Sequence, residues 1–121
     1  MIINIAGVII WTDDVERLAT FYRDVLEITP HSIQPNFVAF AWGNIRLNIG
    51  QHDRVLGESK DPFRVMINLE VNDIHETYER LKDRQVPFIR PPNQQHWGGW
   101  IATFKDPDGN ILQILEHPSN P

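Results

Sequence analysis

The sequence predicts an α+β domain built from two tandem βαβββ modules, about residues 1–60 and about residues 61–121. The segments INIAGVIIW and FRVMINLEV open the two halves, and both alternate apolar and other residues as strands do. A helix-start signal follows each segment, and three short candidate strands follow each helix. A shift of 59 residues places Asp14 on Asp73 and Val15 on Ile74. These observations favour an internal duplication within one domain; the alternative is two unrelated α+β halves that share an order of elements.

The two helices are predicted from their starts and their apolar stripes. Asp13 can cap the first helix, since Glu16 stands three residues later in a capping-box pattern. Helical spacing then gives one apolar face, made of Val15, Leu18, Ala19, Tyr22, Val25 and Leu26. Asn72 and Asp73 open the second helix, which carries a shorter stripe of Ile74, Thr77, Tyr78 and Leu81.

The remaining strands are predicted from short apolar runs between turn residues. In the first half they cover roughly 31–34, 36–42 and 45–49, and in the second roughly 87–90, 100–105 and 111–116. The second half itself begins with a strand at 64–71. Pro107 and Gly109 suit a tight turn between the last two strands. That turn places Gln113 in the last strand, paired with 100–105.

Composition limits the classes of partner. The formal net charge is −5, which argues against nucleic acid or an anionic membrane surface and suits a neutral or cationic ligand. The absence of cysteine excludes disulfides, thiolate nucleophiles and zinc–thiolate sites. Because no segment is long and apolar enough to span a membrane and the N-terminus lacks a basic signal-peptide region, we expect a cytoplasmic protein.

Three segments carry a resemblance to a known family: DDVERLATFYRDVLEI, NDIHETYERLKDRQVPF and WGGWIATFKDPDGNILQILE. Together they resemble the vicinal oxygen chelate superfamily, which includes glyoxalase I, extradiol dioxygenases, epimerases and bleomycin-resistance proteins. The resemblance implies that each module's curled sheet forms half of a cup, with the helices outside, and that the protein is a homodimer. It also implies glycine at the helix ends, where this sequence has Glu27 and Gln85; a left-handed backbone there costs each residue about 1 kcal/mol relative to glycine.

Metal-dependent members of that family place ligands at four positions, on the first and last strands of each module. The corresponding residues here are Gly7, Asn48, Met66 and Gln113. Glycine offers no side-chain ligand atom, and a thioether binds hard divalent ions poorly. The two amides are weak metal ligands when no carboxylate or imidazole ligand accompanies them. The sequence therefore predicts no metal ion and no other cofactor.

Strand alternation assigns residues to the cup. In the first strand Gly7, Ile9 and Trp11 face it, whereas Val8 and Ile10 pack under the helix. The predicted ligand-binding residues are Trp42, Asn48, Met66, Asn68, Glu70, Trp97, Trp100 and Gln113.

Indole rings can stack on planar or cationic ligands, with Trp42 and Trp100 the favoured pair. The amides can orient a ligand, and Glu70 can bind a cation or act as a base. The alternatives are that the tryptophans fill a core or a dimer contact, that the amides face solvent, and that Glu70 forms an ion pair with Arg46 or Arg64.

The five histidines share no ligand-like spacing, and His31, His52, His75 and His117 are expected on the surface. His96, in the loop NQQHWGGW, lies where this fold edges the cup.

Three functions remain open at this point. The first is a metal-independent binder of a small molecule, similar to bleomycin-type resistance proteins that sequester a drug. The second is a lyase, isomerase or dioxygenase-type enzyme of the same fold that uses Glu70 as base or a relocated metal site. The third is an accessory or regulatory dimer with a vestigial cup.

Overall fold

Each half of the chain folds into one helix and one four-stranded mixed sheet, in the order βαβββ. The structure is a computed structural model that describes residues 1–119. The chain divides into two compact units, Met1–Gly57 and a second that begins at Glu58. The predicted α+β fold class with two βαβββ modules is confirmed.

The first unit contains β1 (Gly7–Thr12), α1 (Val15–Leu26), β2 (Ser32–Gln34), β3 (Phe37–Trp42) and β4 (Ile45–Gln51). Its sheet has the order β1-β4-β3-β2. The β1 strand runs parallel to β4, and the other pairs are antiparallel. A parallel neighbour requires a crossover between the strands, and α1 lies within that crossover.

The second unit repeats this arrangement with β5 (Ile67–Glu70), α2 (Ile74–Asp83), β6 (Phe88–Gln94), β7 (Trp100–Lys105) and β8 (Ile111–Glu116). Its order is β5-β8-β7-β6, and β5 runs parallel to β8. The edge strand β6 includes Pro91 and Pro92 and pairs with β7 through two register shifts. Prolines cannot donate to a ladder, so an edge strand is where they are tolerated.

The residue that caps α1 differs from the one expected. The Asp14 side chain accepts from the Arg17 backbone N–H at 3.1 Å, so Asp14 rather than Asp13 is the N-cap. The Thr12 hydroxyl accepts from the Asp14 N–H at 3.1 Å, while the Asp13 carboxylate accepts from Gly57 N–H at 2.8 Å. Asp73 caps α2, where its side chain accepts from the backbone N–H groups of His75 and Glu76, both at 3.1 Å.

Both helices are followed by a residue with a left-handed backbone that is not glycine. Glu27 has φ 56° and Gln85 has φ 64°. The Glu27 N–H donates to Arg23 O at 3.0 Å, and the Gln85 N–H donates to Lys82 O at 2.8 Å. The left-handed conformation expected at these two positions is therefore present.

Each sheet packs one face against its helix, which we call the helix-proximal face. In the first unit this face contributes Val38, Phe40, Leu47 and Ile49, all buried. In the second unit the aromatic rings of Tyr78 and Phe88 meet edge to face at 4.6 Å, and the face contributes Ala102, Phe104, Leu112 and Ile114. The alternation expected for β8 is confirmed, because Leu112 and Ile114 are buried while Gln113 and Leu115 are not.

The initial strand of each unit is shorter than expected. The first begins at Gly7 rather than near Ile3, and the second covers Ile67–Glu70 rather than 64–71. Within residues 1–119, no helix is long and apolar enough to cross a membrane.

Candidate functional site

The opposite face of each sheet, which we call the helix-distal face, carries the polar residues that the sequence singles out. In the first unit Asn48 lies on this face in the middle of β4. Its neighbours across the two ladders are Ile9 of β1 and Ala39 of β3. The Oδ1 atom of Asn48 is buried and has no hydrogen-bond partner. An unsatisfied buried acceptor lowers the stability of the protein by about 1–3 kcal/mol, so a ligand that donates a hydrogen bond to this atom would recover that free energy on binding.

Two aromatic side chains lie on the same face, one residue pair further along. Trp11 and Phe37 are the cross-strand neighbours of Gly50. A Cβ built on Gly50 would lie 2.7 Å from Trp11 Cζ3 and 3.0 Å from Phe37 Cδ2, so both rings pack over this glycine. The Trp11 ring also meets the His52 ring edge to face, with centroids 5.2 Å apart. Trp11 remains 38% exposed, which leaves part of an indole available to a ligand.

The second unit has a pair of amides at the matching place. Asn68 of β5 lies opposite Gln113 of β8, as Ile9 lies opposite Asn48 in the first unit. Here the Gln113 Nε2 group donates to Asn68 Oδ1 at 2.9 Å. The structure therefore brings together two predicted ligand-binding residues, and it satisfies the Asn68 oxygen within the sheet.

Glu70 follows on the helix-distal face of β5 and pairs with a histidine. His117 Nε2 lies 3.4 Å from Glu70 Oε1, with side chains 63% and 71% exposed. The two arginines considered as partners bind elsewhere: Arg46 donates to the Gly43 carbonyl at 3.2 Å, and Arg64 forms an ion pair with Asp61 at 2.9 Å. His117 was expected to be solvated, and it is, but beside a carboxylate.

The residues at the family's four metal positions do not form a metal site. A Cβ built on Gly7 would overlap the Arg46 carbonyl oxygen, so β1 approaches β4 too closely for any ligand side chain there. Gln113 Nε2 is committed to Asn68, and Met66 offers only a thioether immediately before β5. Among residues 1–119, no three His, Asp or Glu side chains group in a way that could hold a metal ion. The side chains at these four positions therefore do not fit the divalent metal ion that the family resemblance implies.

The tryptophans favoured for ligand contact lie elsewhere. Trp42 ends β3 two residues after Phe40 and therefore shares its helix-proximal face. Trp100 lies on the helix-proximal face of the second unit, where its ring meets His75 of α2 with centroids 4.8 Å apart. Alternation counted from the buried residues of β3 and β7 directs these two rings toward the helices, which agrees with the alternative that they pack against a core. Trp97 folds over Gly99 in the loop before β7, and the neighbouring His96 is exposed.

A separate cleft of about 250 Å³ lies on the helix-proximal side of the first unit, between α1 and β2–β3. Its walls include Val15, Ala19, Ile33 and Val38, with Glu16 and Arg23 among its polar residues. No predicted site residue lines it. We favour the helix-distal faces as the site because they carry an acceptor without a partner, whereas this cleft is mainly apolar.

Trp11 and Phe37 are candidate site residues that the sequence alone does not identify. Strand alternation gives the face of Trp11 but no reason to place it or Phe37 in a site. The available signal was Gly50: a glycine inside a strand indicates close approach of another group, and here the two rings occupy the space of its missing side chain.

Comparison with known proteins agrees with this fold. The family model for the Glyoxalase/Bleomycin resistance protein/Dioxygenase superfamily matches residues 4–114. An uncharacterized protein of Bacillus subtilis, YetH, is 26% identical over 121 residues, covering 96% of this chain and all of the relative. A bleomycin resistance protein of Klebsiella pneumoniae is 32% identical over 56 residues, covering 40% of this chain and 44% of the relative.

Solved structures show the same architecture. A glyoxalase/bleomycin resistance protein/dioxygenase from Nocardioides superposes with a TM-score of 0.81 at 23% identity, covering all of this chain and 87% of the other. At that identity the likeness establishes the fold alone. With the family model matching most of its length, the chain belongs to the Glyoxalase/Bleomycin resistance protein/Dioxygenase superfamily.

Proposed function

We propose that the protein binds a small molecule on the helix-distal faces of its sheets without a metal ion, and that it sequesters a drug or metabolite in this way. The observation that carries the proposal is the donor set at the four metal positions. Glycine, asparagine, methionine and glutamine replace the imidazoles and carboxylates that a divalent ion requires. What remains on these faces is apolar and aromatic surface with a few amides, which is the usual composition of a ligand site.

The residues in this proposal are Trp11 and Asn48 in the first unit, and Met66, Asn68, Glu70 and Gln113 in the second. The partial relative from Klebsiella supports sequestration as the kind of function, because it is named a bleomycin resistance protein. Trp42, Trp97 and Trp100 have a weaker claim, since two of them lie on helix-proximal faces and the third packs on its own loop.

A fluorescence screen with protein dialysed against a chelator tests the proposal. We expect saturable quenching of tryptophan emission by some planar compounds, and recovery of those compounds unchanged after long incubation. Quenching should be lost in Trp11→Phe and retained in Trp100→Phe, which removes a similar indole from the opposite face. Binding that requires an added divalent ion would reject the proposal.

The second candidate is an enzyme that uses Glu70 as a base, and the Glu70–His117 pair favours it. A carboxylate beside an imidazole can accept a proton and pass it on. The exposure of Glu70 argues against this candidate, because a carboxylate that works as a base near neutral pH is usually desolvated. Conversion of a bound compound, abolished in Glu70→Gln with binding retained, would establish the enzyme in place of the sequestering protein.

The proposal includes a homodimer in the cytoplasm. Ile2, Ile3 and Ile5 are 71–90% exposed and lead into β1, which is an edge strand. Exposed apolar residues beside a free strand edge favour self-association. Sedimentation of a single species of monomer mass at micromolar concentration would remove the dimer from the proposal without affecting ligand binding.

A further inference from the structure

We propose that the helix-distal face of the first unit takes a planar, uncharged ligand that donates an N–H group to Asn48 Oδ1. This inference rests on the proposed small-molecule binding and specifies the class of ligand. It starts from the unpartnered Asn48 oxygen and from the two aromatic rings beside it.

The acceptor has no donor directly across either ladder. Its cross-strand neighbours, Ile9 and Ala39, are both apolar. In the second unit the place equivalent to Ile9 is taken by Asn68, whose Oδ1 accepts from Gln113 Nε2 at 2.9 Å. An isoleucine at this place in the first unit offers no polar group, and Asn48 Oδ1 has no hydrogen-bond partner. A buried acceptor without a partner is costly, and a ligand donor removes that cost on binding.

The surface next to the acceptor suits a flat ring. Trp11 and Phe37 pack over Gly50, and His52 supports the indole edge to face. Rings held in this way offer a rigid surface for stacking at little entropic cost. Gly50 adjoins Asn48 on the same face of β4, at the two-residue spacing of about 6.6 Å that strand geometry gives. A bicyclic ligand is long enough to stack on the rings and reach the acceptor.

The charges on this face argue against a cationic ligand. The helix-distal positions of β1, β3 and β4 include no Asp or Glu, so a cation would find no counter-charge among them. The one charged residue on this part of the face is Arg46, and its guanidinium already donates to the Gly43 and Ile45 carbonyls. The preference for a cation suggested by the overall charge therefore does not extend to this face.

Access to the acceptor requires a local movement, because Asn48 Oδ1 is shielded from solvent. Ile9, which lies directly opposite Asn48 and is 47% exposed, is the neighbour that has to move aside while the Trp11 ring stays in place. Because the ligand stacks on that ring, a resonance of the Trp11 indole should report on binding.

The test uses the full chain, labelled with ¹⁵N, and matched pairs of planar lactams such as isoquinolin-1(2H)-one and its N-methyl derivative. The members of a pair differ in the N–H donor. We expect the N–H probe to shift the Trp11 indole and Asn48 side-chain resonances and to bind about tenfold tighter than the N-methyl probe, which is about 1.4 kcal/mol.

Two variants locate the acceptor. Asn48→Leu removes it, and Ile9→Asn places an amide directly opposite Asn48 whose Nδ2 group can donate to Asn48 Oδ1; both should abolish the preference for the N–H probe. Asn44→Leu, in the turn between β3 and β4, makes the same chemical change outside the site and should keep the preference. Urea unfolding of each variant verifies that it is folded.

Equal affinities within every pair, or a preference that survives Asn48→Leu, would overturn the inference. Failure of every N–H probe to bind up to millimolar concentration would overturn it as well. If compounds from the wider fluorescence screen still bind in those cases, the proposed function stands and only the ligand class is wrong. If nothing binds in either experiment, both are wrong.

Discussion

The two units share a topology and a strand register but differ in how they satisfy one pair of positions. In the second unit Asn68 faces Gln113, and their amides bond to each other. In the first unit Ile9 faces Asn48, and the Asn48 oxygen has no partner. The comparison separates two states of a polar residue on a sheet. An amide bonded within the sheet contributes to stability, whereas a buried amide oxygen without a partner lowers it, and under the proposed function a ligand would supply the missing donor.

The largest expected change in the free energy of unfolding is at Gly7, and the corresponding position of the second unit, Met66, should show a much smaller one. Gly7→Ala should lower the free energy of unfolding by about 2–3 kcal/mol, because the added methyl group meets the Arg46 carbonyl and the strands must separate. Met66→Ala, at the corresponding place before β5, should change it by less than about 1 kcal/mol, since Met66 is 40% exposed and lies outside the core. Urea unfolding measures both. Equal effects would show that the units do not differ here.

The unpartnered amide gives the next effect, and its sign is opposite to the usual one. Asn48→Leu should raise the free energy of unfolding by about 1 kcal/mol, because it removes a buried acceptor that lacks a donor. Gln113→Leu should lower it by about 0.5–1 kcal/mol, because Asn68 loses its bond. Thermal and urea unfolding of the two variants provide the comparison. Destabilisation by Asn48→Leu would mean that the Asn48 oxygen has a partner in solution.

Substitution of the left-handed residue after each helix should change the free energy of unfolding by a smaller amount, which should be the same in both units. Glu27→Gly and Gln85→Gly should each raise the free energy of unfolding by about 0.5–1 kcal/mol, because glycine adopts positive φ without strain. Glu79→Gly, at an exposed position inside α2, is the control and should lower it by about 1 kcal/mol. Stabilisation in one unit only would indicate that the other left-handed residue makes a compensating contact.

The smallest effect belongs to Glu70 and His117. Since both side chains are mostly exposed, His117→Ala should change the free energy of unfolding by less than about 0.5 kcal/mol. The measurement is urea unfolding at low and at high salt. A loss well above that value at low salt would show that the pair is more than a surface contact, and it would strengthen the case for Glu70 as a functional base.

Most of the fold follows from patterns that are local in the sequence. The apolar stripes and the turn at Asp106–Asn110 specify both helices and the last hairpin, although α1 is capped by Asp14 rather than by the expected Asp13. The positions of the left-handed Glu27 and Gln85 are those that the family resemblance implies. The starts of β1 and β5 cannot be predicted in this way. The residues before Gly7 and Ile67 are as apolar as those of a strand, but they do not form a continuous ladder of hydrogen bonds with a neighbouring strand.

The site is less accessible to sequence reasoning because it depends on cross-strand neighbours. Asn48 and Gln113 are both neutral amides on a terminal strand, and only the pairing with Ile9 or Asn68 distinguishes them. The positions of Trp42 and Trp100 show the same limit: their residue type favours a ligand contact, whereas alternation from Phe40 and the contact with His75 place the two rings beside the helices.

The central claim is that binding requires no metal ion, and calorimetry tests it most directly. Isoquinolin-1(2H)-one would be titrated into protein stripped with a chelator, and again after addition of Ni²⁺, Zn²⁺, Mn²⁺ or Fe²⁺. The account predicts saturable binding to the stripped protein with the same affinity, within about twofold, after each metal is added, because Asn48 and the aromatic rings bind the probe by themselves. Binding that appears only after a metal is added would contradict it.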